Sequence, residues 1–144
     1  MKDHIVLIGA DGAALPADST DYVAIQNTKT GLMASAALGA ARFTFGDAEK
    51  ACAALTTAGF TDWRLPTVEE LFPMADRTRF SPAVDPEQYP FLESDWYWSG
   101  TVDPSSPSGF AFGVGFYSGA AGIYYQDYRG RVLAVRSVGA AAGQ

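Results

Sequence analysis

Apolar positions along this chain come in short runs broken by glycine, proline and turn-forming polar residues. The first run, Ile5-Val6-Leu7-Ile8-Gly9-Ala10, predicts a β-strand. Across residues 21–26, Tyr22, Ala24 and Gln26 alternate with Val23 and Ile25, the period-two pattern of a half-buried strand. Asn27-Thr28-Lys29-Thr30-Gly31 is turn chemistry, because Asn and Gly tolerate positive φ and the hydroxyls can bond the local backbone. Leu32-Met33 resumes the apolar pattern. The small side chains of residues 34–41 leave that stretch a loop or an irregular segment.

Helical spacing follows. Thr44 stands three residues before Asp47, a capping-box-like start. Ala48, Cys52 and Leu55 then recur at i, i+4 and i+7 with Ala51 beside them, which predicts one apolar stripe. Gly59 is placed to end this helix in the left-handed conformation. Cys52 on that stripe reads as a small buried residue rather than a nucleophile, since no basic partner shares its face. A second capping box opens at Thr67 with Glu70, flanked by Pro66 and Leu71 at the staple positions. Val68, Leu71, Phe72 and Ala75 carry the apolar spacing, and Pro73, lacking an amide for Glu69, should shorten or kink the helix. Residues 76–94 contain Pro82, Pro86 and Pro90 and read as a long ordered loop.

From Asp95 onward the pattern is all-β. Trp96-Tyr97-Trp98-Ser99-Gly100-Thr101 is an aromatic strand, and residues 103–109 form a turn. In the next strand Phe110, Phe112, Val114 and Phe116 point one way, while Ala111, Gly113 and Gly115 leave the other face nearly bare. Such a face admits either close packing of a neighbouring element or a ligand. Residues 118–122 are expected to turn the chain, residues 123–128 to return it as a hairpin, and residues 131–138 to form a last strand before a frayed tail over 139–144.

Composition narrows the function classes. At 144 residues and 15.3 kDa the chain is expected to be a single domain over 1–144, large enough for a core without staples. A content of 48% hydrophobic, 13% aromatic and 18% charged residues excludes a disordered tail protein. Ten basic residues against 16 acidic ones give −6, which argues against a nucleic-acid partner. The single cysteine excludes a disulfide framework, and the single histidine, His4, excludes the usual zinc spacings, so no metal or cofactor is expected. The first apolar run is far shorter than the ~20 residues a membrane-spanning helix needs, and shorter than a signal-peptide core with its cleavage site. The expectation is therefore no membrane insertion, no signal peptide, and a cytoplasmic or phage-virion location.

Thr30-Gly31-Leu32-Met33, then a helix with Ala48 and Cys52, then Gly59-Phe60-Thr61-Asp62-Trp63-Arg64-Leu65-Pro66-Thr67-Val68-Glu69-Glu70-Leu71 form a distinctive order. Pro82, Asp85, Phe91, Tyr97-Trp98-Ser99-Gly100-Thr101, Phe116-Tyr117-Ser118-Gly119 and Val135-Arg136-Ser137-Val138 continue it. This pattern resembles the Lcl C-terminal domain family, named for a Legionella collagen-like protein, over a core of residues 22–138. The resemblance implies a C-type-lectin-like α+β fold, with two helices packed on a twisted, mostly antiparallel sheet, long loops, and termini meeting in neighbouring strands. Its better-understood members bind ligands, including glycosaminoglycans, and often act as trimers, so a homo-oligomer is implied. Two departures stand out: Ala34 where many members have Trp, and Ser137 where many have a cysteine in the closing motif. If that cysteine normally pairs with the helix cysteine, its loss fits a free buried Cys52. The polybasic surface of a glycosaminoglycan binder is absent at −6.

Trp63 and Leu65 are expected to anchor the core, and Arg64 to fork to Asp62 or Glu70 and fix the inter-helix loop. Pro66, Thr67, Glu70, Trp98 and Arg136 are expected to be structural as well. The reactive inventory is poor. The fold's copper chemistry uses a cysteine pair and its iron chemistry a histidine-rich site, and this chain has one residue of each type. A nucleophile triad lacks a usable histidine, and Glu69/Glu70 and Asp85/Glu87 are scattered carboxylates without a defined cleft. The calcium-lectin signatures are also absent. The expectation is a non-enzymatic module with no catalytic residues that recognises a glycan or protein receptor. Its candidate ligand-binding residues are Tyr117, Tyr124, Gln126, Asp127, Tyr128, Arg129 and Arg131, with Trp96 and Tyr97 at the rim. The alternative is an intracellular, phage-encoded interaction protein that binds a host protein.

Overall fold

The computed structural model describes residues 3–138 as an α+β arrangement of two antiparallel sheets and two short helices. The first sheet has five strands in the order β2 (Ala14–Leu15), β1 (Ile5–Ile8), β3 (Ala24–Asn27), β4 (Leu32–Ser35) and β8 (Val135–Ser137). The second has three: β5 (Trp96–Val102), β6 (Phe110–Gly115) and β7 (Ala120–Tyr125). The β3–β4 turn forms as its residues dictate. Asn27 Oδ1 accepts the N–H groups of Lys29 and Thr30 at 3.0 and 3.3 Å, and Gly31 takes φ +74°. The stretch after Met33 starts as strand, since Ala34 and Ser35 complete β4.

Helix α1 (Phe45–Ala53) begins at Thr44, whose Oγ1 accepts the Asp47 N–H at 3.3 Å. It ends six residues before Gly59. The Leu55 N–H tightens onto the Cys52 carbonyl at 3.1 Å, and Thr56 leaves helical geometry. Gly59, at φ +82°, instead closes a separate 3-10 turn over Thr57–Gly59. Helix α2 (Val68–Leu71) has both halves of its capping box, and Pro73 holds it to one turn continued by a 3-10 turn over Phe72–Met74.

Two clusters of buried side chains fill the molecule. One gathers Leu7, Ile25, Leu71, Tyr97, Val114 and Phe116; the other gathers Met33, Phe45, Cys52, Trp63, Trp96 and Trp98. Residues 130–135 stitch the sheets together. Arg131 exchanges backbone hydrogen bonds with β5, through Trp98 N–H at 3.0 Å and Trp96 carbonyl at 2.9 Å. Ser35 N–H reaches the Ala134 carbonyl at 2.9 Å on the other side. Val132, Leu133, Ala134 and Val135 are accordingly all buried, as a segment enclosed on both faces must be.

Three sequence expectations change here. The last strand covers only Val135–Ser137, because residues 131–134 belong to this connecting segment. The return strand β7 begins at Ala120, so the hairpin turn lies before it, over residues 116–119. The N-terminal strand and β8 share a sheet but are not neighbours, since β3 and β4 stand between them. The expected frayed tail lies outside the described residues. No helix among the described residues is long and apolar enough to cross a membrane.

Candidate ligand-binding surface

The bare face of β6 is filled from within the domain. Trp96 pairs with Gly115 and Trp98 with Gly113, so both indoles lie on the glycine side of the sheet. A Cβ at Gly113 would come within 2.3 Å of the Tyr97 carbonyl oxygen and 2.5 Å of the Trp96 ring. At Gly130 it would meet that ring at 2.7 Å. The glycines therefore form a seat for Trp96, a residue only 7% exposed. Its buried Nε1 has no hydrogen-bond partner.

Above this seat stand the tyrosines. Tyr124 meets Trp96 edge-on at 4.5 Å between centroids, and Tyr128 stacks on Tyr124 at 4.5 Å with a 25° interplanar angle. Both tyrosines remain 42% exposed. Tyr117, 49% exposed, lines a shallow groove of about 310 Å³ together with Trp96, Ser118, Gly122, Ile123 and Tyr124. Asp127 and Arg129 are exposed on the turn that follows β7.

A buried carboxylate organises the base of this surface. Asp95, 4% exposed, accepts from Arg131 Nε at 2.7 Å, from the Trp96 backbone N–H at 2.8 Å, from Tyr117 Oη at 3.4 Å, and from both terminal nitrogens of Arg42. Burial acts to raise its carboxyl. The charged hydrogen bond from Arg131, the Trp96 amide and Arg42 outweigh burial and hold it below the usual carboxylate range. Arg131 also donates to the Gly39 carbonyl at 2.7 Å and approaches Glu93 at 3.3 Å.

These partners redistribute the predicted site. Arg131 is turned inward as a support for Asp95 rather than outward. Gln126 Nε2 is occupied by the carbonyls of Pro107 and Phe110, at 2.9 and 3.1 Å. Tyr97 is not at the rim: alternation turns it to the opposite face of β5, where it is fully buried, stacks edge-on with Phe116 at 5.4 Å and accepts the Glu93 N–H at 2.9 Å. Sequence reasoning missed Asp95 and Arg42, which lie 53 positions apart with no spacing signal to join them. It also missed Ile123 and Tyr125, exposed at 42% and 63%. Their alternation in the hairpin was a usable signal.

The residues expected to be structural are buried or paired. Trp63 and Leu65 are buried at 3% and 7%, and Trp63 Nε1 donates to the Thr57 carbonyl at 3.1 Å. Arg64 chooses Glu70, at 2.7 and 3.0 Å, and adds Ser137 Oγ at 2.9 Å. The charged hydrogen bond with Arg64 lowers the Glu70 carboxyl. Asp62 binds Arg136 instead, at 2.6 and 3.2 Å, with the guanidinium 3.7 Å over the Phe60 ring. Pro66 and Trp98 are fully buried, and Trp98 Nε1 donates to the Phe43 carbonyl at 2.9 Å. Burial, and then Glu49, push the Cys52 thiol up to about 12. A second cleft of about 800 Å³ lies between residues 3–4, the β3–β4 turn and α2. Much of its polar lining is self-paired: His4 Nε2 with Gln88 at 3.0 Å, Asn27 with Tyr89 at 3.1 Å, and Glu70 with Arg64.

The Arg64 fork joins the inter-helix motif to the closing strand, so these two motifs meet in one place. The model of the Lcl C-terminal domain matches residues 23–136. The chain belongs to the Lcl C-terminal domain family. Within this Lcl C-terminal domain the aromatic surface falls wholly inside the matched region, whereas β1 and β2 precede it. No curated protein matches the chain.

Proposed function

We propose that this Lcl C-terminal domain is a C-type-lectin-like ligand-binding module without chemistry of its own, recognising a glycan or protein receptor. Tyr124 and Tyr128, with Trp96 behind them and Tyr117 across the groove, are the binding surface; Asp127 and Arg129 supply its polar contacts. The observation that carries this reading is the stacked Tyr124–Tyr128 pair, held at 4.5 Å yet 42% exposed. Large, rigid aromatic area left open to solvent loses little entropy on docking, and it is the kind of area that dominates binding energy. The Asp95 network supports the same reading by fixing Tyr117 and the backbone at Trp96 before any ligand arrives. A module without catalysis is favoured by a Cys52 thiol raised to about 12, far from the thiolate form, and by carboxylates such as Glu70 committed to arginines.

The test is retention of the purified domain on a printed glycan array and on intact bacterial cells. The double variant Tyr124→Ala, Arg129→Ala should abolish retention while leaving Tm within a few degrees of the parent. Unaltered retention in that variant removes the surface from consideration. Capture of one cytosolic host protein, with no binding to glycans or cells, would replace this reading by an intracellular docking module.

A further inference from the structure

The groove between Tyr117 and Tyr124 owes its shape to small residues. Gly115 and Ala120 on its floor face each other across β6 and β7, with Gly122 two positions further on. A Cβ at Gly115 or Gly122 would lie 3.9 Å from the Trp96 ring, so the glycines keep the floor low beside the indole. The two tyrosines rise on opposite sides of that floor. The space between them, about 310 Å³, is at the small end of the ~300–1,000 Å³ of small-molecule sites and suits a ring better than an extended chain.

Its polar groups are neutral. None of the nine residues that line the groove carries a charge. Cations on the surrounding elements are turned elsewhere: Arg42 and Arg131 to Asp95, and Arg77 to the carbonyls of Gly119 and Phe72. The lining nevertheless donates and accepts. Tyr117 Oη donates to Asp95 at 3.4 Å, which leaves its lone pairs free to accept. Ser118 Oγ and Tyr124 Oη form no hydrogen bond among the described residues, and each hydroxyl can do both.

The strand edge adds backbone groups. Phe116 N–H donates to the Asp95 carbonyl at 2.9 Å, so Phe112 and Val114 bond to β5 while Ala111, Gly113 and Gly115 bond to β7. Their partners Tyr124, Gly122 and Ala120 are bonded inward, and the N–H and C=O of Ala121 and Ile123 face away from β6. The side chains of Ala121 and Ile123 point to the opposite face of the sheet from Tyr124. These two residues therefore meet the groove through the open edge of β7.

We propose that this groove takes an uncharged saccharide ring, an inference that rests on the aromatic surface being the binding surface. The ring face lies against Tyr124, and its hydroxyls reach Tyr117, Ser118 and the backbone of Ala121. Sugars present a face of C–H bonds whose partial positive charge suits the negative face of an aromatic ring. Their hydroxyls donate and accept at once, as do the groups awaiting them. A sulfate or carboxylate in the same place would lose its water with no cation to pair it, and a net charge of −6 already repels it. Asp127 and Arg129 lie outside the lining and are left to touch the remainder of a longer ligand.

An array that prints each neutral glycan beside its sulfated and sialylated counterparts, probed with the full chain, tests this. Neutral glycans should be retained, and a charge on the terminal ring should lower retention by about tenfold or more. Gly122→Val raises the floor of the groove. Its Cβ meets the Trp96 ring at 3.9 Å, an ordinary contact, so the strand accepts it while neutral retention falls by about tenfold or more. Ser118→Arg, on an exposed turn, should raise retention of sulfated glycans by supplying the missing cation. Charged glycans retained as well as neutral ones by the parent, or neutral retention unaltered in folded Gly122→Val, overturns the proposal. Retention on bacterial cells with no glycan bound overturns it as well. In that case loss of cell retention in Tyr124→Ala, Arg129→Ala leaves the surface standing, whereas unaltered cell retention removes both.

Discussion

Replacing Asp95 by alanine should be among the most damaging single changes near the aromatic surface. The side chain accepts from Arg131, Arg42, Tyr117 and the Trp96 amide, and its residue is 4% exposed. Removing one member of a buried ion pair costs about 3–5 kcal/mol, because the remaining charge is left desolvated. Two features reduce that figure here. Arg42 is half-exposed and can return to water, and Arg131 keeps the Gly39 carbonyl at 2.7 Å and Glu93 at 3.3 Å. A loss of about 2–3 kcal/mol follows, equivalent to roughly 6–12 °C in Tm for a domain of this size. Urea unfolding followed by tryptophan emission, with the slope m checked for constancy, measures it. The pH dependence provides a second handle. The folded carboxyl lies below its unfolded value, so its stabilisation is fully present above the unfolded pKa of ~3.9 and is lost as pH falls through the folded value. Asp95→Asn should therefore be destabilised at neutral pH and show a flatter decline below about pH 4 than the parent. A loss under about 1 kcal/mol in Asp95→Ala, or an unchanged acid limb in Asp95→Asn, would show that the network does not organise this region.

Two further outcomes test the packing. Trp63→Ala removes a 3% exposed indole and its bond to the Thr57 carbonyl, a loss of about 3–5 kcal/mol that should leave little folded protein in thermal melts; a soluble variant with near-parent Tm contradicts its anchoring role. Gly113→Ala places a methyl 2.3 Å from the Tyr97 carbonyl oxygen, a clash with backbone that no rotamer relieves. It should lower stability by at least about 2 kcal/mol in urea unfolding, whereas a neutral result would mean that the strands separate freely at that point.

What was legible in the sequence was local. The Thr67–Glu70 capping box is made of groups three residues apart, and Pro73 stops its helix through an amide it does not have. The Asn27–Gly31 turn is likewise self-contained. Distant partners were harder to read. Ala120, Ala121 and Gly122 look like turn residues, yet they are strand, because a bare strand is what leaves space for the Trp96 ring. Trp96-Tyr97-Trp98 places aromatics on both faces, so alternation could not say which one would come near the surface. Arg64 had two carboxylates in reach by sequence, and the three-dimensional position of Arg136 decided between them by claiming Asp62. The Asp95 hub depends on Arg42 and Arg131, which converge from opposite sides of the sequence and carry no joint pattern.

The seat of Trp96 also has an optical consequence. Of the three tryptophans, Trp63 and Trp98 sit deep, with Nε1 bonded to the Thr57 and Phe43 carbonyls respectively. Trp96 alone is in ring contact with the exposed Tyr124, and its Nε1 has no such bond to fix its surroundings. Whatever settles on Tyr124 changes the polarity around Trp96 first, with Trp98 edge-on behind it at 6.1 Å between centroids. The domain thus carries its own fluorophore at the place where occupancy would be felt, and titrations can be read on the unlabelled chain.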